Sequence, residues 1–190
     1  MDPYERLTRD GRVIDRMTDA ALRQAEARLG YSLTIVQGSY NAGRVSASAG
    51  THDGGGVVDL KPWDWQKKVV ALRAVGFAAW YRPAIVGLWS AHIHAVLIGH
   101  GRLSPSAARQ VTAYLDRRDG LKGNGPDSDP GWTSTARFDW HAWADRVTRD
   151  EALRRELHRA QKAAKHRPQM RARLQRMRKR VADSLRQRKG

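Results

Sequence analysis

Three consecutive glycines, residues 54–56, stand between a histidine and an aspartate, and they constrain the local fold more than any other feature of the chain. Glycine in a helix interior costs about 1 kcal/mol relative to alanine, so this run excludes a helix and places His52 on a turn. The following residues, Val57 to Leu60, have the β-branched character of a strand. Asp59 would then point to one face of a sheet and its two neighbours to the other.

A second segment, residues 91–98, reads Ala-His-Ile-His-Ala-Val-Leu-Ile and predicts another strand. Alternation along a strand puts His92 and His94 on the same face and directs Ile93 to the core. If the two strands are adjacent in the sheet, Asp59 and His94 lie side by side and His52 reaches over from its turn.

Two imidazoles and one carboxylate form a ligand set that suits Zn²⁺, which catalytic sites hold with three protein ligands and one open position. The chain has no cysteine that would offer another metal chemistry. A lone histidine in a strand is more often a hydrogen-bonded structural residue, so the prediction depends on the combination. The sequence therefore predicts a zinc site formed by His52, Asp59 and His94.

The segment from Ile35 to Asp59, with its Gly-Thr-His-Asp-Gly-Gly-Gly-Val-Val-Asp end, resembles the zinc D-Ala-D-Ala peptidase family, whose motif is S-x-H-x-x-G-x-A-x-D. Ala-His-Ile-His at 91–94 is similar to the A-H-I-H strand of the hedgehog signalling domain, which shares that fold. The arrangement further resembles peptidases of this group in actinobacteria and their phages. Over about 33–101, the resemblance implies that His52, Asp59 and His94 bind zinc and that His92 lies beside them or at the substrate.

The chain departs from this family at the residue that accepts a proton from water. Gly50 stands where the motif has serine, and Ala91 and Leu88 stand where the family and hedgehog patterns have glutamate. No glutamate occurs between Glu26 and Glu151. Another group must therefore accept the proton, or the site is not catalytic.

His92 is the first candidate for this role, because it shares a strand face with His94 and an imidazole titrates near neutral pH. Asp53 and Asp64 are the next candidates, although an aspartate before glycines is commonly a turn residue. Gln37 and Arg44 precede the turn and are candidates for contacting the oxyanion or a substrate carboxylate.

The chain as a whole predicts an α+β fold, in which a small antiparallel sheet carrying the zinc site is flanked by helices, with a basic helical C-terminal extension. The helix at 65–75 is expected to expose Lys67, Lys68 and Arg73 to solvent. The predicted helices are 19–29, 65–75 and 105–118, and the predicted strands are 33–37, 57–60, 77–81 and 91–98.

We expect three segments: a catalytic domain at 1–118, a linker and tryptophan-rich segment at 119–147, and a basic amphipathic helical tail at 148–190. Residues 119–131 contain four glycines, two prolines and three aspartates, a composition typical of a loop. Trp132, Trp140 and Trp143 follow, as a small satellite core or as a stacking surface for sugar rings or peptide.

The tail dominates the charge of the chain. Residues 145–190 hold 17 of the 35 lysines and arginines but five of the 19 acids, and the net charge of the chain is +16. A narrow apolar stripe opposite these charges has three interpretations: packing on the domain or a twin helix, lying on an anionic membrane, or binding a polyanion. We favour an anionic cell-envelope polymer or membrane surface over nucleic acid, because the sequence has no base-reading motif.

These features predict a zinc-dependent peptidoglycan peptidase of endolysin type that hydrolyses an amide bond in the stem peptide or cross-bridge. The alternative is a catalytically silent zinc-containing binding module that attaches to cell wall, membrane or nucleic acid through its tail. The polar start and the lack of a long apolar run predict synthesis in the host cytoplasm without a signal peptide, and action on the cell wall after release.

Overall fold

The computed structural model describes residues 1–42, 48–129, 133–166 and 171–186. In these residues the protein is α+β, with a small antiparallel sheet and five α-helices. The chain divides into two compact units, Met1–Phe138 and Asp139–Gly190. The division thus falls after Phe138, inside the segment predicted as a linker, rather than at residue 118.

The chain opens with a two-stranded hairpin that the sequence analysis did not predict. Strand β1 (Arg6–Arg9) pairs with β2 (Arg12–Asp15) through Asp10 and Gly11, which have φ angles of +51° and +70°. Positive φ at both central residues is the type I′ geometry that favours Asp-Gly. The sequence therefore did carry a signal for this hairpin, namely Asp10-Gly11 between two short runs of mixed apolar and polar residues.

Helix α1 (Arg16–Leu29) confirms the helix predicted at 19–29 but begins three residues earlier. The reason is the N-cap: the Asp15 carboxylate accepts a hydrogen bond from the backbone of Thr18 at 2.8 Å, so Asp15 rather than Thr18 caps the helix. Gly30 closes the helix in the left-handed conformation.

The main sheet has four antiparallel strands, and its register defines one functional face. The strands are β3 (Ile35–Gln37), β4 (Val57–Leu60), β5 (Phe77–Arg82) and β6 (His92–Leu97), in the spatial order β3-β4-β6-β5. Gln37, Asp59, His94 and Trp80 are aligned across all four strands. Residues directly opposite each other in an antiparallel pair share a face, so these four side chains lie in one row.

Two helices follow strands of this sheet and close its core. Helix α2 (Trp65–Ala74) confirms the helix predicted at 65–75, with Gly76 just beyond its end. Helix α3 (Pro105–Leu115) begins at the predicted residue, after a Ser104 cap, and packs on the functional face of the sheet. The cluster beneath α3 joins Val57, Ala78, Trp80, Val96 and Ile98 to Ala107 and Tyr114.

The expectation that α2 exposes Lys68 and Arg73 was wrong, because both residues are fully buried. The Lys68 ammonium donates to the Lys61 carbonyl at 2.9 Å and lies 3.8 Å from the centre of the Trp63 ring. Long cationic side chains can enter a core when their heads find such partners, which a helical pattern alone does not reveal.

Arg73 ties the predicted linker to the first unit. Its guanidinium bonds to the Asp127 carboxylate at 2.7 Å, to the Asp129 carbonyl at 2.7 Å and to the Ala79 carbonyl at 2.9 Å. The Arg73 and Asp127 side chains have no exposed surface. The segment from Asp116 to Asp129 therefore belongs to the wall of the first unit.

The second unit contains helices α4 (Trp140–His166) and α5 (Arg171–Arg186), which pack against each other. Helix α4 begins eight residues before the predicted start of the tail. The apolar stripe is partly or fully buried, and the Ser184 hydroxyl donates to the Asp150 carboxylate across the two helices. Within this unit, the stripe joins α4 to α5. Its described members are Leu153, Leu157, Ala160, Leu174, Met177 and Val181.

Pro168, at which the sequence predicts a break or a new first turn in the helical tail, lies outside the described residues, as does Trp132. Trp140 and Trp143 lie one turn apart on α4, and their rings stack with centroids 5.2 Å apart.

No helix in the described part of the chain is both long and apolar enough to cross a membrane.

Replacing Asp127 with alanine should lower the free energy of unfolding of the first unit by about 3–5 kcal/mol, since it leaves the Arg73 guanidinium buried without its carboxylate. Urea denaturation followed by circular dichroism would measure the change. Asp129→Ala is the matched control, because Arg73 bonds to the backbone carbonyl of that residue. Equal losses in the two variants would contradict the importance of the buried ion pair.

Candidate metal centre

His52 lies on a single 3-10 turn (Thr51–Asp53) whose position is fixed by backbone hydrogen bonds. The Asn41 amide donates to the His52 carbonyl, and the Tyr40 amide donates to the Gly54 carbonyl, each at 2.9 Å. The His52 Nδ1 atom lies 2.8 Å from the Gly38 carbonyl. A carbonyl only accepts, so Nδ1 carries the hydrogen and Nε2 is left with its lone pair.

The glycine run allows this turn to approach the core closely. A Cβ atom on Gly55 would lie 2.4 Å from the Tyr40 hydroxyl, 2.5 Å from His100 and 2.7 Å from the Asp15 carboxylate. These distances are too short for any side chain, so position 55 requires glycine. The sequence analysis predicted a turn here, and the structure adds the buried polar cluster behind it.

Asp59 on β4 and His94 on β6 are directly opposite each other in the sheet. The His94 Nδ1 atom lies 2.8 Å from Asp59 Oδ1, and the His52 Nε2 atom lies 3.3 Å from the same oxygen. All three side chains are buried, and their donor atoms lie within 4.8 Å of one another. The three predicted ligands therefore form one group that could hold a metal ion.

Gln110 on α3 fixes the second imidazole. Its amide oxygen lies 2.8 Å from His94 Nε2, and its amide nitrogen donates to the Gly120 carbonyl at 3.3 Å. This second bond orients the amide, so His94 Nε2 must donate to the amide oxygen and its Nδ1 presents a lone pair. Sequence analysis did not identify Gln110, because no motif in α3 indicates that this helix contacts a histidine of β6.

The two imidazoles consequently direct lone pairs at one carboxylate oxygen, an arrangement that requires a cation or a shared proton at its centre. Burial lowers the pKa of His94 and outweighs the opposing effect of Asp59. Burial raises the pKa of Asp59, but where the cation at the centre is a shared proton, the hydrogen bonds from His52 and His94 hold that pKa below its ordinary value. A metal cation would accept all three lone pairs at once.

His92 lies beside this group and faces it. Its Nδ1 atom lies 2.7 Å from the Ser90 carbonyl, which leaves the Nε2 lone pair directed to Asp59 Oδ1 at 3.8 Å. The side chain keeps 15% of its surface exposed, whereas His94 keeps 7%. His92 is therefore the histidine of this cluster that solvent reaches most readily.

A cleft of about 710 Å³ opens over the group, between the functional face of the sheet and α3. Gln37 lines the cleft, and its amide donates to the Ser48 hydroxyl at 2.6 Å. Asp53 is exposed and is not among the described residues that line the cleft. Arg44 lies outside the described residues.

The segment after α3 supports three side chains of the site. Trp80 donates to the Arg118 carbonyl, Arg82 to the Asp119 carbonyl, and Gln110 to the Gly120 carbonyl. Three successive backbone carbonyls therefore accept hydrogen bonds from side chains at the site. Trp80 also lies nearly parallel to His94, with ring centroids 6.2 Å apart. The segment predicted as a linker is thus part of the site.

Arg82 is a buried cation in the same cleft, and the sequence analysis missed it. Burial lowers its pKa to about 10, against the opposing effects of Asp119, Asp127 and Asp59. The guanidinium is therefore charged at neutral pH. Little in the sequence indicates that Arg82 is buried in the cleft, since an arginine at the end of a strand is usually exposed to solvent.

Comparisons of the chain with family models, curated proteins and solved structures find no match. The relation to the zinc D-Ala-D-Ala peptidase family therefore stays a prediction from the motifs.

Replacing Gln110 with leucine should weaken Zn²⁺ binding by about 10- to 100-fold, because His94 loses the partner that fixes its orientation. Titration of Zn²⁺ against a competing chelator would measure this. Thr112→Val on the same helix is the control, since Thr112 bonds to the Ala108 carbonyl of its own helix. Unchanged affinity in Gln110→Leu would show that the amide has no part in positioning the ligand.

Proposed function

We propose that this chain is a zinc-dependent peptidase acting on peptidoglycan. The observation that supports the proposal most is the convergence of three buried donor atoms at the floor of an open cleft, with both imidazole orientations fixed by neighbours. The three donors alone would make a metal site. The cleft above them is what makes a hydrolase the best interpretation.

The chemistry of the donors favours zinc among the common metals. Ca²⁺ and Mg²⁺ take six or more oxygen ligands, whereas two imidazoles and one carboxylate are a typical zinc set. His52, Asp59 and His94 would hold the ion. When bound, it would polarise a substrate carbonyl and lower the pKa of water to about 7.

The proposed role of His92 is to accept and return a proton. Its Nε2 lone pair faces the centre, so it would take a proton from the attacking water and pass it to the leaving amine. The Ser90 carbonyl accepts from Nδ1 and would stabilise the imidazolium formed between these steps. No glutamate is among the described residues that line the cleft, so none replaces His92 there.

Peptidoglycan as the substrate is supported by the family resemblance of residues 33–101 and by the charge of the second unit. Hydrolysis would break an amide bond of the stem peptide or cross-bridge. The buried stripe between α4 and α5 leaves the arginines and lysines of these helices available for an anionic envelope polymer.

The alternative proposal is a silent binding module in which the metal is structural. The absence of the family's glutamate favours it. The two proposals differ in whether amide bonds are cut, which mass spectrometry of digested cell walls decides.

The metal assignment predicts that the protein binds close to one zinc ion. His52→Ala and His94→Ala should each lose this metal and the activity, while circular dichroism shows the fold largely retained. His100→Ala is not a suitable control because of its buried ion pair with Asp15, but exposed His141→Ala is. Full metal content in both ligand variants would rule the assignment out.

His92→Ala should keep its zinc but lower turnover by roughly 10² or more, the usual effect of losing a general acid or base. Release of peptide fragments from purified cell walls, followed by mass spectrometry, would measure the loss. Hydrolysis near the wild-type rate with zinc bound would transfer the proton-accepting role to another group.

A further inference from the structure

Arg82 occupies a defined position relative to the candidate metal centre. It is directly opposite His92 in the pairing of β5 with β6, in the row next to the one that joins Trp80 to His94. The Cβ atoms of such a pair lie about 5 Å apart and point to the same face of the sheet. Arg82 therefore lines the cleft on the other side of His92 from Asp59.

The Arg82 guanidinium is buried without a carboxylate in direct contact. Arg82 keeps 5% of its surface exposed, yet no carboxylate of the described chain lies within 4.0 Å of its nitrogens. The other buried arginine of the described chain differs, because Arg73 bonds to Asp127; the half-buried Arg9 likewise bonds to Asp19, at 2.9 Å. A buried charge without a partner is unfavourable by several kcal/mol, so proteins pair almost all of them.

The contacts that Arg82 does make leave most of its donors uncommitted. Within the described residues, its hydrogen bond goes to the neutral Asp119 carbonyl, and its Cζ atom lies 4.9 Å from the centre of the Trp80 ring. Arginine has five N–H donors arranged as a planar fork that matches a carboxylate. The aromatic ring and the carbonyl therefore hold the guanidinium in place without neutralising it.

The rest of the cleft reinforces the positive charge. Arg109 and Lys122 line it and are exposed, whereas its acids are Asp59, which faces the histidines, and Asp116. Clefts of one dominant sign concentrate ligands of the opposite charge. The field inside this cleft thus favours an anionic ligand, with the buried Arg82 as the strongest fixed donor.

We propose that Arg82 forms an anion subsite that binds a carboxylate of the substrate, on the residue adjoining the bond to be cut. This deepens the proposed function, on which it rests, by naming the chemistry that the substrate must carry. The carboxylate belongs either to the free C-terminus of a peptide or to an acidic side chain, and both present the same two oxygens to the guanidinium.

The test compares short peptides that differ in one charge. Acetyl-alanyl-alanine and its C-terminal amide would be titrated into the full-length protein by calorimetry, both zinc-loaded and after chelation. We expect the acid to bind at least about tenfold more tightly than the amide, since bonds to charged groups are the stronger ones. Persistence of this preference without zinc would assign it to the protein rather than to the metal.

Two substitutions locate the preference. Arg82→Gln should abolish it, and Arg109→Gln, which removes an exposed arginine of the same cleft, should leave it intact. Arg82→Lys keeps the positive charge but loses the planar fork of N–H donors, so this variant should retain part of the preference for the acid. If Arg82→Gln fails to fold by circular dichroism, the lysine variant and the acid–amide comparison in the wild type still decide the question.

A second pair of probes separates the two sources of the carboxylate. Acetyl-alanyl-glutamate amide and acetyl-alanyl-glutamine amide both lack a free C-terminus, so a preference between them reports a side-chain carboxylate. Equal binding of acid and neutral partner in both pairs would overturn the subsite, as would a preference that survives in Arg82→Gln. If the protein prefers the acid but cuts no amide bond, the proposed peptidase activity is rejected and the anion subsite is retained.

Discussion

The register between β4 and β6 is the constraint on which the rest of the first unit depends. Asp59 faces His94 in this pairing, and the same alternation sends Leu60 and Ile93 into the core. A slip by one residue would exchange the two faces, turning Leu60 and Ile93 toward the cleft and the side chains of Asp59 and His94 away from it. The hydrophobic core therefore specifies the geometry of the candidate metal centre, and neither can change without the other.

The parts of the site that sequence analysis predicted are those with local signals. Alternation placed Asp59 and His94 on strands, and the glycine run placed His52 on a turn. Gln110 and the carbonyls of residues 118–120 had no such signal, because their roles come from packing between segments distant in sequence. Composition identified 119–131 as a loop, but it carries no information about the surface on which a loop packs.

Burial of charge explains both the main error of the sequence analysis and the stability of the site wall. Arg73 was expected in solvent, yet it is the residue that fixes the loop after α3 through Asp127. That loop supplies the carbonyls that hold Trp80, Arg82 and the partner of His94. A buried ion pair away from the cleft therefore supports the orientation of a metal ligand.

His92 and the buried Arg82 are directly opposite each other, so the residue at position 92 decides whether the guanidinium has a partner across the strand. A carboxylate in place of His92 would lie directly opposite Arg82 and would pair with it, which would neutralise both groups. A neutral imidazole there accepts a proton without competing for the guanidinium. A histidine at position 92 thus leaves the buried guanidinium without a carboxylate partner across the strand, which is the condition that the proposed anion subsite requires.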